Sequence, residues 1–579
     1  MMWTFYILSI FFLRIGITAN AYNMFHSKTQ LSHLTVDTER GTVYIGAVNK
    51  LYQLTADLRV IHEANIGPRM DNKMCTPPFE DCPELVLTDN YIKLLAMDMS
   101  KDRIVVCGSL FKGICSLRRI NNITEEILYD ITKGEKSFVV SNHNHISSVG
   151  LVADVENTTV LVVGNSKEHF TMSDVTRLVS SRLIDELQGR DSFETVSENS
   201  YIQGDFGSDM YTTFVKVFQT QNHIYFVLTR QEKLSGQKKT YISRQCKNDL
   251  NYYSFIEIAL ECNTGNTFTV VQSAYVMELG KKLSRGLTSA GIYGNVAPQN
   301  KAVFALFYNA AKSGISEESA LCIFPLKEID KKVEQVRVKA YSGDTKEKSK
   351  KVIYQAYGLE TWKGQLDGKK AASQFPCGEE HLPFPLRSSL GLTVHPVTQY
   401  NRSLTAVAVT VEGNHTVVFL GTSDGKILQV SLHGITAEEY KTIDLGNDGP
   451  VKSELVFDAK QEHLYVMTNT TVTRLPVEEC VKFMDCQSCI SSHDPFCGWC
   501  VSEEKCTKAS KCTSGSEENG WLVWNSPHAC VTNVTVVPPS NTGPTKNHQQ
   551  TQNVKQEETW IEHADANGQH SKNISSLLP

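Results

Sequence analysis

Outside its first twenty-one residues the chain has no apolar run long enough to cross a bilayer, which takes about eighteen residues or more. It also has no apolar C-terminal tail of the kind that precedes a lipid anchor. The mature chain is therefore expected to be soluble, with no membrane span. An excess of basic residues is missing too: the net charge is −6, whereas nucleic-acid binders are usually basic, so no nucleic-acid partner is expected. There is no His-Glu-x-x-His, no P-loop, no EF-hand loop and no repeated Ser-x-Asp-x-Gly box, which removes the commonest marks of metal, phosphate and sugar chemistry. Gly421-Thr422-Ser423-Asp424-Gly425 fits the Gly-x-Ser-x-Gly of an esterase elbow, but that elbow needs a strand-to-helix turn. Here β-rich runs flank it on both sides and Asp424-Gly425 is a hairpin turn signal. The seventeen histidines are scattered, and surface or structural roles suffice for them. No catalytic residue, cofactor or metal is expected.

What the chain does have is cysteine. Eight of its sixteen cysteines lie between Cys480 and Cys530, around His493-Asp494-Pro495-Phe496-Cys497-Gly498-Trp499-Cys500. A segment of about fifty residues cannot build a large apolar core, so it needs covalent staples, and disulfides last only where the surroundings are oxidising. Two other readings start from the same residues. Cys486-x-x-Cys489 followed by Cys497-x-x-Cys500 could be a pair of zinc knuckles, and Cys497-Gly498-Trp499-Cys500 alone could be a redox dithiol. Cys480, Cys506, Cys512 and Cys530 argue against both, because a zinc site uses four ligands and a redox pair two. A disulfide framework in an extracellular chain is the expectation.

Residues 1–21 read as a secretory signal. Tyr6 to Phe12 is its apolar centre and Ala19-Asn20-Ala21 its small-x-small cleavage site. No lysine or arginine precedes the apolar centre, and Arg14 follows it. Asn122, Asn157, Asn401, Asn414, Asn469, Asn533 and Asn573 head N-glycosylation sequons, as expected of a secreted glycoprotein.

The body of the chain repeats one pattern: two short apolar runs flank a polar turn, the second rich in β-branched or aromatic residues. The copies are Leu34–Gly46, Leu94–Gly108, Val149–Gly164, Phe214–Leu228, Leu287–Phe307, Ala406–Gly421 and Leu455–Met467. Such runs are hairpins of buried strands. Several lead into a further strand, as Asp424-Gly425 leads into Ile427-Leu428-Gln429-Val430. Three or four strands per unit, repeated at roughly fifty to seventy residues, is the pattern of a β-propeller. The interval from Leu287 to Ala406 is about two units long, and an insertion within one blade is expected there. It contains Lys331–Lys351, with eight basic and three acidic residues, and a polar stretch from Gly364 to Gly378. The basic run is expected to be a solvated loop, with docking of sulfated glycans as the alternative.

The Cys-Gly-Trp-Cys module behind a long propeller-like region resembles the plexin–semaphorin–integrin (PSI) module behind a sema domain, and the details resemble a plexin, best the B-type plexins. The residues that carry the resemblance are Val36-Asp37…Gly41-x-Val43-Tyr44-Ile45-Gly46-Ala47-Val48-Asn49, Cys107-Gly108-Ser109-Leu110-x-x-Gly113-Ile114-Cys115, Ser319-Ala320-Leu321-Cys322-x-Phe324-Pro325, Thr416-Val417-Val418-Phe419-x-Gly421-Thr422-x-x-Gly425-x-Ile427-Leu428 and Leu475-Pro476-Val477-x-x-Cys480. Semaphorins share the fold but usually carry Asp at the position of Cys500, and an immunoglobulin domain commonly follows.

The resemblance implies an all-β fold, a seven-bladed sema propeller over 22–478 and a PSI module over 479–531. It implies the pairs Cys75–Cys82, Cys107–Cys115, Cys246–Cys377 and Cys262–Cys322, and in the module Cys480–Cys497, Cys486–Cys530, Cys489–Cys506 and Cys500–Cys512. Spacing alone leaves the connectivity open. The implied partner is a semaphorin, with membrane plexins or co-receptors as further candidates; the contact residues stay unassigned. A whole plexin continues through more modules, a membrane span and a cytoplasmic GTPase-activating region. From 532 to 579 this chain is polar, rich in Pro, Asn, Gln and Lys, and reads as a disordered tail. The expected function is a soluble semaphorin-binding head, a decoy or modulator, with a secreted semaphorin-like ligand as the alternative.

Overall fold

A computed structural model describes residues 22–132, 134–156, 158–167, 177–203, 210–232, 236–263, 267–291, 294–309, 318–343, 367–514, 520–523 and 530. Short β-branched and aromatic runs separated by turns pair with their sequence neighbours, so the strands form antiparallel sheets in chain order. Seven such sheets make the blades of a propeller. The first blade is Leu31–Asp37, Thr42–Ala47, Lys50–Leu54 and Val60–Asn65. The second strand of a blade is buried on both sides, as in Arg103–Gly108 or His463–Met467, while the outer strand Val60–Asn65 is mostly exposed. This explains why the second run of each repeat is the more apolar: neighbouring blades pack on both of its faces.

The ring closes by sharing. The seventh sheet takes three strands from Leu455–Phe457, His463–Met467 and Thr471–Pro476, and its outer strand from the other end of the chain, Asn23–His26. Phe25 stands opposite Val472 in that pairing. Pairing the N-terminal strand onto the last blade with ladder hydrogen bonds ties the two ends of the ring together and removes the free ends that a linear stack would leave.

Two expectations need correction. The fifth repeat does not begin at Leu287. That residue lies in helix α1 (Lys281–Ser289), and the inner strand is Val270–Glu278, paired with Lys301–Tyr308. Leu283 and Leu287, one helical turn apart and both buried, imitate the start of a strand. The basic run is also no loop where it is described. Helix α2 (Leu326–Tyr341) buries Leu326, Ile329, Val333, Val336 and Ala340, a helical period that basic residues at the intervening positions disguise. Residues 344–351 lie outside the described residues.

The long interval is an insertion between the third and fourth strands of the fifth blade, Ser319–Pro325 and Thr398–Tyr400. It holds α2, α3 (Gly368–Gln374) and strand Leu386–Val394, which runs parallel to Ile256–Asn263 of the fourth blade. Arg244 of the fourth blade reaches Asp330 and Glu334 on α2. Cys246–Cys377 ties the base of the insertion to the same blade.

Candidate protein-recognition surfaces

The inner strands enclose an axial cavity of about 810 Å³ lined by His33, Thr35, Ser148, Lys216, Ser273 and Glu454 among others. Three titratable groups meet in it. His33 Nδ1 lies 2.7 Å from Glu454 Oε1, and the Leu34 amide donates to Glu454 Oε2 at 2.6 Å. Burial pushes the Glu454 carboxyl up, but His33, the Leu34 amide and Lys216 together outweigh it and hold it below its ordinary value. Enclosure pushes the Lys216 ammonium down, opposed by Glu454. The carboxylate thus bridges the first blade and the segment entering the seventh, across the seam where the ring closes, and both of its oxygens are taken up in that bridge. Its sequence signal was slight: one acidic residue just before an apolar run. The Gly-x-Ser-x-Gly segment forms the turn between strands His415–Thr422 and Lys426–His433. No helix follows it, and Gly425 takes φ 78°, a left-handed conformation that glycine adopts freely.

A second feature projects from the wall between the first and second blades. Strands Arg69–Asp71 and Val86–Thr88 pair as a hairpin in which Met70 faces Leu87, and the disulfide Cys75–Cys82 closes its end. Met70, Met74, Val86 and Leu87 are all exposed, Met74 and Leu87 at 68% each. The base is firmly held. Asp71 is buried and accepts from the Phe111 amide at 3.1 Å, the Arg69 guanidinium sits 5.2 Å over the Tyr129 ring, and Asn142 Nδ2 donates to the Lys73 carbonyl at 3.3 Å. Exposed Glu80, Asp81, Glu84 and Asp89 surround it. Four large apolar side chains are exposed on this stapled, anchored hairpin, Met70 directly opposite Leu87, and exposure of that kind marks a protein contact. Sequence reasoning passed over it because its strands are only three residues long.

The cysteine-rich module is built around strand Gly498–Cys500, flanked by Lys505–Thr507 and Trp521–Leu522. The glycine of Cys-Gly-Trp-Cys has a steric reason: a Cβ on Gly498 would lie 2.3 Å from Trp521 Cε2. The indole is fixed there by its Nε1 donating to the Thr507 carbonyl at 2.9 Å. Helix α4 (Cys486–Ser491) starts at a reciprocal cap between Asp485 and Ser488. The structure joins Cys480 to Cys497, Cys486 to Cys530, Cys489 to Cys506 and Cys500 to Cys512. In the propeller it joins Cys107 to Cys115 and Cys262 to Cys322, besides the two pairs already described. Among the described residues Glu478, Cys480 and Cys497 come close enough together to suggest a metal site. The two sulfurs are bonded to each other, so neither is a thiolate that could ligate.

The module's apolar centre (Cys489, Phe496, Cys506) runs on into that of the sixth and seventh blades. Charged contacts rim the junction, with Lys441 on Glu479 and Lys508 3.4 Å from Glu412. Inside it, burial pushes the Asp494 carboxyl up to about 6, and the neighbouring Tyr440 hydroxyl is buried with no hydrogen-bond partner. An acid raised on folding keeps its proton longer in the folded chain, so this group makes stability fall as pH rises from the ordinary aspartate value of 3.8 to about 6. Asp494→Asn retains an acceptor for the Phe496 amide, 3.0 Å away. It should stabilise the module at neutral pH by about 1–3 kcal/mol and lose that advantage near pH ~4. Superimposable melting curves for the two proteins at neutral pH would rule this out.

Asn401 and Asn414 sit exposed in turns, Asn122 and Asn469 are half-buried, and Asn157, Asn533 and Asn573 lie outside the described residues. The Asn122 side chain is engaged locally, donating to Glu125 at 3.1 Å and accepting from Thr124. Asn469 packs against Gly449, where a Cβ would lie 2.2 Å from its Nδ2.

A ring of antiparallel blades followed by a stapled knot defines a sema-type propeller with a plexin-repeat module. The Sema domain family profile matches residues 271–458, and the plexin repeat (PSI) profile matches 479–531. Over 537 residues the chain is 39% identical to Plexin-B2 of Mus musculus, covering 92% of this chain and 28% of that protein. It is 32% identical to Plexin-B1 of Homo sapiens over 523 residues, 89% of this chain and 24% of that one. A solved plexin A4 extracellular region superimposes with a TM-score of 0.74 at 26% identity, covering 86% of this chain and 51% of that one. A structure of Drosophila Plexin A in complex with Semaphorin 1b shares the fold, with a TM-score of 0.59 at 14% identity. The chain belongs to the plexin family. It spans about a quarter of the length of the curated relatives it matches.

Proposed function

We propose that this chain is the ligand-binding head of a semaphorin receptor, and that its work is protein recognition rather than catalysis. The observation that carries this is the match to B-type plexins over nearly the whole chain. One solved structure that shares the fold is of Drosophila Plexin A in complex with Semaphorin 1b. In this reading 22–478 is the recognition propeller, 479–531 a stiff connector, 1–21 a leader removed on export and 532–579 a polar tail. Eight disulfides, with no free cysteine among the described residues, suit an extracellular location. No helix among the described residues is long and apolar enough to cross a membrane. Released from a cell, such a head would compete with full receptors for ligand, which is the decoy or modulator role.

The hairpin bearing Met70 and Leu87 is the surface that this reading assigns to ligand contact. Surface binding of the chain to an immobilised panel of semaphorin ectodomains tests both parts. Saturable binding to at least one member is expected, and Met70→Glu with Leu87→Glu should weaken it more than tenfold, since central apolar anchors are worth about 2 kcal/mol or more. No binding to any member overturns the receptor reading. Full binding by the doubly substituted chain moves the contact elsewhere on the propeller.

A further inference from the structure

The wall of the axial cavity is both apolar and charged. Leu95, Val149, Val215 and Val456, from the second, third, fourth and seventh blades, are half-buried along it, and Lys216 adds an ammonium to the same wall. That ammonium is unmatched. Both Glu454 oxygens are engaged by His33 and the Leu34 amide. Lys216 has no hydrogen-bond partner among the described residues, and Glu454 acts on it only from beyond contact distance. Thr229 Oγ1, on the next strand of the same blade, is buried at the edge of the cavity, also without a partner. Lys238 lines the cavity too, with no ion pair among the described residues.

We propose that the axial cavity binds a small organic monocarboxylate with an apolar body, its head held by Lys216. The volume of about 810 Å³ falls within the usual range for sites that enclose small molecules, about 300–1,000 Å³. An enclosed ammonium without an acceptor is unfavourable, and burial lowers Lys216 below its ordinary value. A carboxylate against Nζ supplies the missing acceptor together with the opposite charge. The apolar body covers the half-buried leucine and valines, whose exposure to water then falls. Glu454 carries a negative charge in the same cavity, which repels a second one and so selects a monoanion over a phosphate dianion. Because several blades share the wall, an occupant touches several inner strands at once and stabilises the ring against unfolding. The cavity shares no residue with the Met70–Leu87 hairpin, so this site is independent of the proposed protein contact.

Octanoate is the probe. Calorimetric titration of the whole chain with it should show one saturable site, and the melting temperature should rise with octanoate concentration. Lys216→Met keeps the apolar stem and removes the charge, and octanoate affinity should fall more than about tenfold. Melting of the unliganded variant separates loss of the site from misfolding. Lys331→Ala, at an exposed position on α2, should bind as the parent does. 1-Octanol, with the same apolar chain and no charge, should bind the parent about tenfold or more weakly than octanoate. A second measurement needs no variant: brief labelling of the parent with acetic anhydride, read by peptide mass, should modify Lys216 less when octanoate is present, with Lys331 labelled equally either way. No saturable octanoate binding, undiminished affinity in Lys216→Met, an equal loss in Lys331→Ala, octanol as tight as octanoate, or Lys216 labelling that octanoate leaves unchanged overturns the proposal.

Discussion

Replacing Cys489 and Cys506 together by serine should open the cysteine-rich module while the propeller keeps most of its cooperative melting. The two residues are 17 apart in sequence, and closing a loop of that length is worth about 3 kcal/mol in the chain-entropy account. Both are buried beside Phe496 in the module's small apolar centre, so the substitution also puts hydroxyls where sulfurs packed. A segment of about fifty residues has little other core to draw on. The same exchange at Cys75 and Cys82 should leave global melting nearly unchanged, because that bridge closes a hairpin at the surface. Hydrogen exchange resolved by segment checks both. Protection across 486–512 that survives the Cys489/Cys506 exchange would show that the module does not depend on this bridge.

Removing Glu257 should destabilise the propeller itself. Its carboxylate receives the Arg230 guanidinium in a fork, Nε to Oε2 at 2.9 Å and Nη2 to Oε1 at 2.6 Å, while Nη1 donates to Thr212 at 2.8 Å. The two side chains are 2% and 0% exposed, inside the fourth blade. Leaving one charge of such a pair buried and unmatched costs about 3–5 kcal/mol, whereas replacing both by apolar groups of similar volume is often neutral or stabilising. Glu257→Ala should therefore lower the chemical-denaturation midpoint strongly, and Arg230→Met with Glu257→Leu should restore much of it. A single variant as stable as the parent, or a double variant no better than the single, would show that the pair does not carry this weight.

Where the sequence could be read, a local physical signal was present. Val43-Tyr44-Ile45 and Leu464-Tyr465-Val466 are short, apolar and bounded by turns, and both proved to be buried strands. The Cys-Gly-Trp-Cys run announced the module. Misreadings arose where two signals overlapped: Leu287 imitates a strand start because a helical pair and a strand run both place apolar residues close together. In α2 the lysines at exposed positions hid the apolar stripe beneath them.

The candidate surfaces were not legible for a different reason. Glu454 meets His33 across 421 residues. The apolar hairpin is recognisable only because exposure, not composition, separates Met70 and Leu87 from core residues of the same types.

Local pattern was enough to place six of the seven blade hairpins, the stapled module and the family resemblance, because strand period, turn chemistry and cysteine density act over short stretches of chain. Only the tertiary structure decided how the ends share the seventh blade, which blade the insertion leans on, and which distant histidines and carboxylates come together. Those outcomes depend on ring closure and on packing between blades, which bring into contact residues that no local pattern links.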